Sequence, residues 1–275
     1  MKITFMGAGS TVFARNVLGD CMCTPVLQNA EIALYDIDAG RLEDSRIILS
    51  AINENVNEGR AVIKTYLGVE NRKEALRDAT FVVNAIQVGG YEPCTVTDFE
   101  IPKKYGLQQT IADTLGIGGI MRGLRTIPVL EEFARDMEEV CPNTLFLNYS
   151  NPMAILTGYM QRYTKIRTVG LCHSVQVCAS TLLKHVDMPY DDQVQWKIAG
   201  INHMAWLLEI SRNGEDLYPE IKRRAAAITE KHDDMVRLEI MKRFGYYVTE
   251  SSEHNSEYTP YFIKSRYPEL IDRFN

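Results

Sequence analysis

The 275-residue chain has no apolar run long enough to cross a bilayer, no basic stripe, no internal repeat and no low-complexity stretch. Each absence removes a class of function. A membrane helix needs about 20 consecutive apolar residues, and none are present. The net charge is −6, and the one basic cluster, Lys222-Arg223-Arg224, lies in a helical stretch where it reads as a solvated face, so no nucleic-acid partner is expected. Six cysteines, at 21, 23, 94, 141, 172 and 178, are too scattered in a chain of this length for a disulfide scaffold and read as reduced thiols. The N-terminus runs straight into a strand, with neither the apolar region nor the cleavage site of a secretory signal, so a cytoplasmic protein is expected.

What is present is alternation. Apolar, β-rich runs at 2–6, 31–35, 61–67, 80–86, 144–148 and 166–171 are separated by segments of helical periodicity, such as 41–53 and 125–140. Strands that read as near-continuous apolar runs between helices indicate a parallel sheet covered on both faces, hence a doubly wound α/β fold. After about residue 172 the pattern changes to two strands, 194–199 and 205–211, flanking an Asn202-His203 turn, with helices at 217–231 and 235–244. The expected organisation is a Rossmann-like dinucleotide-binding domain over 1–172 and an α+β substrate domain over 173–275.

Gly7-Ala8-Gly9-Ser10-Thr11-Val12 lies between the first strand and the first helix. Two glycines there permit a tight turn and close backbone approach, and the helix N–H groups face a pyrophosphate. Val12 stands where the dinucleotide fingerprint has a third glycine, so the motif leans on its context. That context includes Asp36, which closes the second strand, where a carboxylate accepts from a ribose diol and repels a 2′-phosphate. Gly7, Gly9, Ser10, Thr11 and Asp36 are therefore the candidate cofactor-binding residues, with NAD favoured over NADP. The plainer alternative is a strand-turn-helix with an incidental capping Asp.

Two further segments carry ligand chemistry. Cys172-His173 ends the strand-like Gly170-Leu171, and His203 sits in the polar turn 31 positions beyond Cys172. A thiolate and an imidazole suit a transition metal, but two ligands leave a coordination sphere open, as catalytic sites do. Alone, Cys172 reads as a small buried hydrophobe and His203 as a hydrogen-bonded core residue. Asn148-Tyr149-Ser150-Asn151-Pro152 presents two amides at another strand end, suited either to sugar hydroxyls or to ordinary turn chemistry. The polar loop 251–260 adds the Tyr258 phenol, whose proton affinity a nearby cation would lower.

Together these residues resemble glycoside hydrolase family 4, the NAD- and metal-dependent glycosidases, and within it the α-galactosidases. The resemblance runs through Gly7-Ala8-Gly9-Ser10-Thr11, the segment 89–99, Thr110-Ile111-Ala112-Asp113-Thr114-Leu115-Gly116, the segment 170–176, Gly200-Ile201-Asn202-His203-Met204-Ala205 and Thr249-Glu250-Ser251-Ser252-Glu253-His254. It implies hydrolysis of a small α-linked glycoside by redox-assisted elimination, with NAD and Mn2+ or another divalent ion as cofactors. The sugar is oxidised at C3, the acidified C2 proton is lost, the C1 substituent leaves, water adds and the hydride returns. By the family pattern Cys172 and His203 are metal ligands, Tyr258 the C2 base, His173 or a water the acid, and Asn151, Asp113 and Arg122 line the substrate. Family members are longer, so the resemblance also implies a substrate domain lacking its C-terminal third and, with that part, a homo-oligomer. An α-glucosidase or α-galacturonidase of the same family, a 2-hydroxy acid dehydrogenase and an inactive NAD-binding remnant are the competing expectations.

Overall fold

In the computed structural model, which describes residues 1–274, the first apolar runs become β1 (Lys2–Met6), α1 (Thr11–Cys23), β2 (Glu31–Asp36), α2 (Ala39–Asn57), β3 (Val62–Leu67), α3 (Arg72–Leu76) and β4 (Phe81–Asn84). The chain continues through α4 (Val96–Lys104), α5 (Gly116–Val140), β5 (Leu145–Asn148), α6 (Met153–Tyr163), β6 (Arg167–Gly170) and α7 (Ser174–His185). Then come β7 (Val194–Ile201), β8 (Met204–Arg212), β9 (Glu215–Asp216), α8 (Tyr218–Ala227), α9 (Met235–Phe244), β10 (Tyr247–Val248), α10 (Ser252–Tyr258) and α11 (Glu269–Phe274).

These elements form two units. The first combines Met1–Cys94 with Met121–Leu171, and the second combines Thr95–Ile120 with the residues from Cys172 onward. The sequence suggested two contiguous blocks divided after 172. The structure instead assigns the α4 segment and the start of α5 to the second unit, because helical periodicity tells which face is apolar and not which core that face joins.

The first unit is a six-stranded, all-parallel sheet in the order β3-β2-β1-β4-β5-β6. This is the strand order of a doubly wound dinucleotide fold, with its direction reversing between β1 and β4. Successive strand residues serve opposite faces. Met6, Tyr35, Val82 and Phe146 pack with Leu130, Phe133 and Met137 of α5, whereas Phe5, Leu34 and Val83 pack with Leu18 of α1 and Leu49 of α2. Burial on both faces explains why these strands read as unbroken apolar runs.

The second unit is built on the antiparallel β7–β8 pair, whose register closes at Ile201↔Met204 and so leaves Asn202 and His203 as a two-residue turn. β10 extends the sheet on the other side of β8, and β9 folds back on β8 after the Asn213-Gly214 turn, where both residues have positive φ. Cys178, Leu182 and Leu183 of α7, Ile221 of α8 and Met241 of α9 cover Leu207, Ile210 and Tyr247. All six cysteines are free thiols. No helix among the described residues is long and apolar enough to cross a membrane.

Candidate metal centre and nucleotide site

In the first unit the β1–α1 turn is held by backbone bonds: the Gly7 and Ala8 N–H groups donate to the Tyr35 carbonyl at 3.0 and 2.9 Å, and Ser10 N–H donates to the Gly7 carbonyl. Gly7 has φ +86, and a Cβ there would lie 2.8 Å from the Ala85 backbone, so only glycine lets the turn press against the chain leaving β4. Asp36 Oδ2 accepts from Gly9 N–H at 2.6 Å, and its Oδ1 accepts from Ile37 and Asp38 N–H at 2.8 and 2.9 Å. This fixes the carboxylate at the tip of β2 beside the glycine turn. Ser10 occupies the N-cap of α1 without a side-chain cap bond, and the first turn of α1 holds no acidic residue. An anion can therefore complete that helix end, and a diphosphate fits the open end, the small turn and the nearby Asp36 together.

Asn148 also lies in the first unit. It is fully buried at the end of β5, its Nδ2 donating to Thr157 Oγ1 at 3.2 Å and to the Ser150 carbonyl, and its Oδ1 accepting from Asn84 Nδ2 at 2.9 Å and Ser150 N–H at 3.1 Å. An amide so occupied shapes the loop and has nothing left for a sugar. Asn151 accepts from Met153 N–H through its Oδ1 at the start of α6 and remains half-buried. Arg122 lies on α5 in the same unit.

The second unit brings together residues from four separate parts of the sequence. Cys172 Sγ, a ring nitrogen of His203 and a Glu250 carboxylate oxygen all lie within 4.8 Å of one another, and Asp113, His203 and His254 form an overlapping set on the same criterion. The Cys172 thiol donates to Glu250 Oε1 at 3.3 Å and lies 3.1 Å from the Ser174 hydroxyl, while His203 Nε2 is 3.2 Å from Glu250 Oε1. His254 approaches from α10, with Nδ1 3.6 Å from Glu250 Oε2 and Nε2 3.9 Å from Asp113 Oδ1, and its ring meets that of His203 edge-on at 5.0 Å. The sequence reading singled out Cys172, His203 and Asp113, and they come together here. It gave no role to Glu250 and His254, because Glu250 precedes α10 in left-handed backbone and only the fold turns both residues toward His203.

The electrostatics favour a cation at this point. Burial pushes the Cys172 thiol up and holds His203 below the ordinary histidine range. Burial would raise Glu250 too, but the Ser174 hydroxyl and His203 hold its carboxyl below the usual carboxylate range. A neutral imidazole nitrogen facing a carboxylate oxygen at 3.2 Å sets lone pair against lone pair unless a proton or a metal ion lies between them. One sulfur, one nitrogen and one carboxylate oxygen make a three-ligand set of the kind that leaves positions open on a catalytic ion.

The surrounding backbone includes three residues at positive φ. His203 has φ +62, Glu250 +66 and Ala112 +54, all in the left-handed region that residues other than glycine adopt uncommonly, histidine more readily than glutamate or alanine. The loop bearing Asp113 is tied down by Glu257, whose carboxylate accepts the N–H groups of Thr110, Ile111 and Ala112 at 2.7, 3.2 and 2.9 Å. Tyr258 closes α10 with its ring 5.7 Å from that of His254. Its hydroxyl is buried without a hydrogen bond of ordinary geometry, and burial pushes the phenol far above its usual range. His173 stands exposed at the N-cap of α7, outside the group of converging donors.

The sequence profile described as "Family 4 glycosyl hydrolase" matches residues 2–188, and that described as "Family 4 glycosyl hydrolase C-terminal domain" matches 198–275. An alpha-galactosidase of Bacillus subtilis (strain 168) is 63% identical over 271 residues, covering 98% of this chain and 62% of the relative. An alpha-galactosidase of Rhizobium meliloti (strain 1021) is 35% identical over 279 residues, covering 99% of this chain and 55% of the relative. Among solved structures, a 6-phospho-alpha-glucosidase from gut microorganisms in complex with NAD and Mn2+ superposes with a TM-score of 0.78 at 22% identity, over 98% of this chain and 65% of that one. This chain thus spans between about half and two thirds of the length of these proteins.

Proposed function

This chain belongs to family 4 of the glycosyl hydrolases, and from that premise we propose that it carries the NAD- and divalent-metal-binding parts of an α-galactosidase. The observation that carries the reading is the 63% identity to the Bacillus subtilis alpha-galactosidase across nearly the whole chain. It is supported by a sulfur, nitrogen and oxygen donor set in the second unit and a nucleotide turn in the first. Six free thiols support a reducing, cytoplasmic setting.

Gly7, Gly9, Ser10 and Thr11 would hold the dinucleotide phosphates, Asp36 the ribose, and Cys172, His203 and Glu250 the ion. When bound, NAD+ takes up and returns a hydride, and Mn2+ supplies positive charge that acidifies both the sugar C2 proton and a nearby phenol. The chain's own residues then have defined tasks. With the C3 carbinol oxidised to a ketone by loss of a hydride and the hydroxyl proton, Tyr258 takes the C2 proton. The electron pair forms the C1–C2 double bond as the C1–O bond breaks, and His173 or a water protonates the departing oxygen. Water adds back across that bond, its oxygen to C1 and a proton to C2, and the hydride returns to C3. Tyr258 is the candidate base because its hydroxyl is buried in the same unit as the metal donors, next to His254. Asn151 remains the candidate for sugar hydroxyls in the first unit.

The test is turnover of p-nitrophenyl α-galactoside in D2O with Mn2+, NAD+ and a thiol reductant. Galactose labelled with deuterium at C2 is the expected product, and unlabelled galactose would reject the elimination mechanism. A parallel panel of α-glucosides and α-galacturonides defines the epimer. Cys172→Ser should lose metal dependence and activity together, and intact metal affinity in that variant would remove Cys172 from the ligand set.

A further inference from the structure

Thr114 stands between two groups that its single hydroxyl proton cannot both serve. Its Oγ1 lies 2.8 Å from Asp113 Oδ1 and 2.7 Å from His203 Nδ1, and the side chain is fully buried. A carboxylate oxygen only accepts, so the hydroxyl donates to Asp113 and must accept from the imidazole. Nδ1 therefore carries the ring hydrogen. In a ring with one hydrogen the other nitrogen is then a bare lone pair, and Nε2 is the nitrogen that faces Glu250.

We propose that Thr114, oriented by Asp113, is a positioning residue that holds His203 as its Nδ1–H tautomer and aims the Nε2 lone pair at the ion. This rests on reading Cys172, His203 and Glu250 as the metal site. His203 occupies a two-residue turn, so the strands fix its backbone while side-chain contacts must set the orientation of its buried ring. The His254 ring meets it edge-on and limits its swing on that side. The Thr114 hydroxyl supplies what the turn lacks, a directional contact that distinguishes Nδ1 from the carbon a ring flip would put in its place. Thr114 is itself held by a rigid loop, since Glu257 pins the three backbone amides from 110 to 112. Asp113 thus acts twice removed from the ion: it takes the threonine's proton and so decides what the threonine can do for the histidine. Outer partners of this kind commonly change metal affinity by about 10- to 100-fold.

The experiment compares Thr114→Val, which keeps the shape and loses the hydroxyl, with Thr114→Ser, which keeps the hydroxyl. Two-bond 1H–15N correlation spectra of the 15N-histidine-labelled protein loaded with Zn2+, a diamagnetic ion suited to the same donors, report the tautomer of His203, assigned by its loss in His203→Asn. Titration with Mn2+ alone gives the affinity. In the unmodified protein and in Thr114→Ser, the Nδ1–H pattern and Mn2+ affinity should be retained. Thr114→Val should show a mixed or reversed tautomer and bind Mn2+ about 10- to 100-fold more weakly. If Thr114→Val keeps both the tautomer and the affinity, the positioning role is overturned while the metal site stands. If Mn2+ binding is unaffected by Cys172→Ser and His203→Asn, the metal reading fails and the positioning role falls with it, even where the tautomer is as expected. The serine variant separates loss of the hydroxyl from damage to the fold.

Discussion

At the scale of single residues, the sequence disclosed the donors whose chemistry is distinctive and concealed those whose role depends on a neighbour. Cys172 and His203 stood out because sulfur and imidazole are uncommon in polar turns. Glu250 and Thr114 did not, because a carboxylate and a hydroxyl occur everywhere and become specific only 3.2 Å and 2.7 Å from His203. Asn148 shows the converse: its place at a strand end was legible, but the four hydrogen bonds that engage its amide were not. A second buried charge group lies away from the metal site. His185 Nδ1 is 3.0 Å from Asp234 Oδ2, and Asp234, fully buried, also pairs with Arg237 and accepts from the Tyr247 hydroxyl at 2.6 Å. The bond to Asp234 raises His185 above the ordinary histidine range, while Asp234, despite its burial, is held below the carboxylate range by His185 and Arg237. Asp234 therefore stays ionised throughout the histidine's titration. The imidazolium is favoured in the folded state, so its stabilisation is fully present below about pH 6.5, the unfolded value, and is lost as pH rises through the higher folded value. Urea midpoints measured from pH 5.5 to 8.5 should fall across this window more steeply in the unmodified protein than in His185→Gln. Parallel slopes would reject the coupling.

At the scale of elements, the parallel strands were the most legible part of the molecule. Burial on both faces writes itself into the sequence as apolar runs, and the observed strands fall within or beside those expected. The start of α5 was not legible. The sequence suggested a helix from about 125, but the helix begins at Gly116, because the glycines of 116–119 read as loop and only packing against Ala112 and Thr114 makes them helical. There a Cβ at Gly118 would meet the Ala112 carbonyl at 2.5 Å and one at Gly119 the Thr114 backbone at 2.6 Å. The β1–α1 turn gives the corresponding prediction for the first unit. Gly7→Ala would drive a methyl group to 2.8 Å from the Ala85 backbone at a φ of +86. The expected cost is about 1–3 kcal/mol of stability. NAD+ affinity should fall with it, as followed by thermal unfolding and by calorimetric titration. An alanine variant as stable and as NAD-competent as the parent would show that the turn has room that the geometry denies it.

At the scale of the whole molecule, each proposed ligand has its own unit, since the candidate nucleotide residues belong to the first and the candidate metal donors all belong to the second. Hydrogen exchange should separate them. NAD+ alone should slow amides at 7–11 and 36–38, and Mn2+ alone should slow those at 110–114, 172–174 and 250–258, because ligands protect most where they suppress local opening. Protection by Mn2+ confined to the first unit would contradict the proposed ligands. The domain pattern was only half legible, because the loop that brings Asp113 and Thr114 to the metal donors departs from the middle of the nucleotide fold, and no change in composition marks the departure. The left-handed backbone at His203 has a last consequence. Glycine or asparagine would rest there more easily than histidine, so a library of variants screened solely for survival of heat should discard the imidazole early. Endurance and chemistry compete for the same position, and the turn between β7 and β8 records which of them has prevailed.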